Sequence, residues 1–159
     1  MPLGCARALG RAVGAGLHYL TGRMRRVVAR QSVQSAGKLI SEMGRVWAQP
    51  WAQTGALLAA DGLGCVKEPL ASGQGLIVLG PHLGNWELLG MHLATLGNLL
   101  ALYEPIPPKK LDQLMHCGRQ CKGGKLVLTA PRLIAEPVRS VRAGGITGIL
   151  LDQVPNGEN

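Results

Sequence analysis

Leu76-Ile77-Val78-Leu79 is a short apolar run rich in β-formers, preceded by Gly73 and Gly75 and stopped by Gly80-Pro81. A run apolar at every position reads as a strand buried in a parallel sheet. A helix is expected next. Asn85 suits its cap, Glu87 falls in its first turn, and Leu88, Leu89, His92, Leu93 and Leu96 carry it to Gly97. A strand, a tight loop and a capped helix in succession restrict this part of the chain to an α/β architecture.

The pattern repeats downstream. Leu99–Tyr103, Lys125–Leu128 and residues 146–151 read as strands, and residues 110–120 and 134–143 as the helices between them. Residues 66–68 are expected to form a short strand before Pro69, and residues 51–60 a short helix. Upstream, residues 3–20 read as an amphipathic helix. Arg-rich residues 23–30 lead into a second helix that ends near Trp47, and Gln49-Pro50-Trp51 marks a break. The organisation expected is a basic amphipathic segment over residues 1–48 and an α/β domain over residues 49–159.

Charge separates the two parts. Of the net +8, nearly all the excess precedes residue 60, where Arg7, Arg11, Arg23, Arg25, Arg26, Arg30, Lys38 and Arg45 face one acid, Glu42. Leu9, Val13, Leu17 and Leu20 can share a helix face with Arg7 and Arg11 beside it. That combination reads as a segment attracted to an anionic membrane surface. No uncharged apolar stretch reaches the roughly 18 residues of a spanning helix. The basic cluster lacks interleaved aromatics, so nucleic acid is not an expected partner. A plain solvated charged face is the alternative. Apolar residues make up 47% of the 159, enough for one real core, yet Phe is absent and the core must rest on Leu, Val, Ile, Ala and Met.

Arg7 and Arg11 interrupt any export signal, so Cys5, Cys65, Cys117 and Cys121 are expected as reduced thiols. His116, Cys117 and Cys121 fit no standard zinc spacing, and no metal is expected.

The loop between strand and helix carries the chemistry. His82 and Glu87 are separated by four residues in Gly80-Pro81-His82-Leu83-Gly84-Asn85-Trp86-Glu87. On one straight helix they would lie on different faces, and the break from loop to helix lets them meet. Histidine takes and returns protons near neutrality, and a carboxylate on its other ring nitrogen fixes the tautomer. Such a pair suits activation of a hydroxyl for acyl transfer. The same residues also fit an ordinary loop histidine and a helix-start acid favoured by the dipole.

The stretch from Gly75 to Gly90, with Trp86 before the acid, resembles the histidine–acid motif of the glycerolipid and lipid A acyltransferases. Within that superfamily it is most similar to the bacterial lipid A biosynthesis acyltransferases, the lauroyl and myristoyl transferases. Ile149-Leu150-Leu151-Asp152-Gln153 is like the Asp-Gln that ends a later strand of the family, and Arg119 lies at the family's distance between the two motifs. Family members continue well past that Asp-Gln, whereas this chain stops at Asn159, so it resembles a C-terminally truncated member.

The resemblance implies a partial glycerolipid-acyltransferase-like mixed sheet flanked by helices, behind the N-terminal helical segment. It implies acyl transfer from an acyl carrier protein thioester to a hydroxyl of a lipid A precursor at the cytoplasmic face of the bacterial inner membrane. His82 would be the general base and Glu87 its orienting acid. The acceptor is itself the nucleophile, so neither a metal nor an organic cofactor is needed. Arg119 and Asp152 would bind substrate, a phosphate in the case of Arg119, and Asn85 would join them. Each has a plainer alternative: an exposed helix arginine, a turn residue before Pro155, and a simple cap. Trp86 fits the core or the acyl channel, and His92 and His116 fit structural roles. Lys109 and Lys110 suit an acidic carrier protein. The alternatives at the level of function are an inactive membrane-associated remnant, or an acyltransferase of the same superfamily acting on another glycolipid or phospholipid.

Overall fold

The computed structural model describes residues 3–20, 30–129 and 135–151. Contacts divide the chain into two compact units, Met1–Gln49 and Pro50–Asn159.

In the first unit, helix α1 (Leu3–Leu20) lies against helix α2 (Arg30–Ala48). The seam uses small residues. Ala6 is buried, and a Cβ on Gly10 would collide with the Gly37 carbonyl oxygen and the Ser41 hydroxyl, so only glycine permits this approach. Arg7 forms an ion pair with the buried Glu42. Leu9 and Val13, from the apolar face expected to meet a membrane surface, stay more than half exposed. Among the described residues no helix is long and apolar enough to cross a membrane.

The second unit is a four-stranded parallel sheet with helices. Strands β1 (Leu76–Gly80), β2 (Leu99–Tyr103), β3 (Lys125–Leu128) and β4 (Ile146–Leu150) stand in the order β1-β4-β2-β3. The last strand enters between the first two, pairing Leu76 with Ile146 on one side and Leu99 with Ile146 on the other. Because all strands run the same way, their carboxyl ends share one edge, where α/β sheets gather ligands.

Before β1 come a short helix α3 (Trp51–Thr54), a 3-10 turn (Gly55–Leu57) and α4 (Gly64–Ala71). Helices α5 (Trp86–Leu96), α6 (Lys109–Gln120) and α7 (Ala135–Arg142) connect the strands. Leu93 of α5 packs with Leu99 and Ile146 to form the centre of the core, and Val66, Leu70 and Val78 close around it. On the other face Thr147 is buried, and its hydroxyl donates to the Pro137 carbonyl of α7.

Two local expectations change. Residues 66–68 form no strand and lie within α4. Val66 and Leu70 are one helical turn apart and both pack against the core, and Pro69 sits inside the helix. Strand β1 is not buried on both faces. It is an edge strand whose residues alternate, with Ile77 and Leu79 exposed and Val78 turned inward. The tip of α5 does close at Gly97, but that residue is extended.

Candidate active site

The site starts where β1 stops. Gly84, at φ +66°, makes the left-handed turn that brings the chain from His82 to the start of α5. The Asn85 side chain then accepts a hydrogen bond from the Leu88 N–H at 3.0 Å, capping the helix. This cap fixes where the first turn begins and hence where Glu87 sits. His82 is half-buried on the loop, with its ring edge-on to Trp86 at 4.9 Å between centroids.

Glu87 is buried, and Arg119 of α6 reaches it across the sheet connection. Arg119 Nη2 and Nε donate to Glu87 Oε1 at 2.7 and 2.9 Å, and Nε also approaches Oε2 at 3.3 Å. The side chain of Glu87 is 3% exposed and that of Arg119 26%. A carboxylate so far from water needs a counter-charge and hydrogen bonds, and the guanidinium supplies both in one fork. The carboxylate expected to orient His82 thus also accepts the Arg119 fork. Arg119, expected to bind substrate, makes an ion pair with Glu87 in the wall of the cleft.

His82, Trp86, Glu87 and Arg119 line one open cleft of about 1060 Å³. Its other walls are largely apolar, formed by residues such as Val78, Met91, Leu93, Leu99 and Ile149. A basic ring, a buried ion pair and an apolar trough thus meet at the carboxyl edge of the sheet.

Two further polar residues stand in this cleft that the sequence reading passed over. Tyr103 ends β2, and its hydroxyl donates to Asp112 Oδ2 of α6 over a long 3.4 Å. Asp112 Oδ1 accepts the Ile106 N–H at 3.1 Å, tying down the proline-rich loop. The Tyr103 ring also meets His116 edge-on at 5.4 Å. Desolvation, followed by the Asp112 carboxylate, raises the Tyr103 pKa above its ordinary value of 10.0. A tyrosine at the carboxyl end of a parallel strand was the available signal.

His92 lies outside this cleft. It stacks on Trp51 at 5.5 Å beside a smaller hollow of about 410 Å³. Both its ring nitrogens are buried without a hydrogen bond, and burial, then Lys67, lowers its pKa. Asp152 lies outside the described residues. Cys117 and Cys121 are exposed and form no disulfide, and among the described residues no group of three or more His, Cys, Asp or Glu could hold a metal.

No curated protein matches the chain significantly. The family model for bacterial lipid A biosynthesis acyltransferase matches residues 21–159, which include the loop, the cleft and every strand of the sheet. By that match over most of its length, the chain belongs to the bacterial lipid A biosynthesis acyltransferase family.

Proposed function

We propose that this chain transfers a fatty acyl group from an acyl carrier protein thioester to a hydroxyl of a lipid A precursor. His82 removes the hydroxyl proton as that oxygen attacks the thioester carbonyl. The tetrahedral intermediate then collapses, the C–S bond breaks, and the proton on His82 passes to the departing thiolate. Glu87 orients His82 and stabilises its charged form, and Arg119 fixes the Glu87 carboxylate. The carbonyl oxygen gains negative charge in the tetrahedral state, so donors aimed at it contribute much of the rate.

The observation that carries this reading is the cleft itself. It joins His82 to Glu87 and extends into an apolar trough suited to an acyl chain. The test is transfer of a labelled acyl group from acyl carrier protein to a lipid A precursor in mixed micelles, with His82→Ala in parallel.

The reading places the chain at the cytoplasmic face of the bacterial inner membrane, on an anionic surface. Exposed Leu9 and Val13 beside Arg11 on α1 favour an interfacial helix there.

A further inference from the structure

The large cleft has two chemistries. One part is apolar. The other includes Asp112 and Arg119 of α6, which share a helix face with His116. Arg119 is spent on Glu87, whereas Asp112 and His116 both converge on Tyr103. The strands that lead to His82 and end in Tyr103 are separated by β4 alone. Two strand spacings are about 10 Å, room for a sugar ring between the base and the phenol.

We propose that Tyr103 contacts the substrate, binding a hydroxyl of the acceptor's saccharide head, and that Asp112 is the positioning residue that holds it there. This inference rests on the transfer reaction proposed above and names the part of the cleft that takes the acceptor.

Three observations carry it. The hydroxyl of Tyr103 is held loosely, at 3.4 Å, so a ligand hydroxyl competes for it readily. Asp112 is held more firmly through its other oxygen, by the Ile106 N–H at 3.1 Å, so it stays in place when the phenol turns. Glu104, next in the chain, lines the same cleft. A carboxylate beside a phenol offers both an acceptor and a donor to a ligand's hydroxyls, which suits a sugar face at this end.

The experiment compares Tyr103→Phe with the unaltered full chain in two readouts. The first is steady-state acyl transfer, varying acyl carrier protein donor and lipid A precursor separately. The second is equilibrium binding of the precursor in micelles without donor, followed by tryptophan fluorescence. Loss of one neutral hydrogen bond predicts an acceptor KM and Kd raised about three- to ten-fold. The donor KM and kcat stay within about two-fold, as does the effect on urea stability. Asp112→Asn, which keeps an oxygen for Ile106, gives a smaller shift of the same kind.

Acceptor KM and Kd unchanged in Tyr103→Phe overturn the inference while leaving the transfer reaction standing. So does a change in donor KM alone. Precursor binding that depends on Tyr103 in a chain that transfers nothing supports the inference and overturns the reaction. A wild-type chain that does not bind the precursor overturns the inference outright.

Discussion

Arg119 closes a fork on Glu87, with Nη2 and Nε at 2.7 and 2.9 Å from one carboxylate oxygen, across 32 residues of sequence. This pair joins the start of α5 to the end of α6 and lies in the wall of the cleft. Removing the arginine strands a buried charge. Arg119→Met is expected to cost about 3 kcal/mol. The double variant Arg119→Met/Glu87→Gln recovers much of that loss. Urea midpoints at unchanged m-value check both.

Asn85 accounts for the place where α5 begins, because its side chain takes the Leu88 N–H. Asn85→Ala is expected to lose about 1 kcal/mol, and Asn85→Asp to retain the cap. Since Glu87 sits two residues further on, Asn85→Ala also lowers transfer activity, and Asn85→Asp does not. Thermal unfolding alongside the transfer assay separates the two effects.

His92 gives the fold a pH dependence of known sign. Its pKa in the folded chain lies below the ordinary 6.5, chiefly because burial disfavours the charged ring. As pH falls through 6.5 the unfolded chain takes up the proton first, so stability declines until the folded value is reached. Urea midpoints at about pH 7.5 and about pH 5.5 measure the slope. His92→Phe flattens it, while a slope unchanged in that variant points to another group.

The exposed apolar residues of α1 predict membrane attachment. Leu9→Glu and Val13→Glu each weaken binding to anionic vesicles, by about ten-fold. Vesicle sedimentation at low and high salt tests this, and binding indifferent to both substitutions assigns the attachment to other residues.

Local pattern made much of the second unit legible. The strand ending at Gly80, the cap at Asn85 and the strand Leu99–Tyr103 were readable because apolar spacing and capping chemistry act over a few residues. The place of His82 on the loop after that strand was also readable, and there it lines the cleft. The insertion of β4 between β1 and β2 was not, since no local signal records which strands pair. The fork from Arg119 to Glu87 and the hold of Asp112 on Tyr103 depend on how α6 is laid against α5 and β2. Residues 66–68 are too short a stretch for local pattern to decide, and they fall inside a helix that runs from Gly64 to Ala71. On α1, the close approach at Gly10 had no local signal, because it depends on which residues of α2 face it.

The most direct test of the account is acyl transfer from labelled acyl–acyl carrier protein to a lipid A precursor, with the unaltered chain and His82→Ala side by side. The account predicts transfer by the unaltered chain and a loss of at least about a hundred-fold in the variant, the scale of general-base catalysis. Equal transfer by both would contradict the role of His82, and no transfer by a folded, vesicle-bound chain would contradict the proposed reaction.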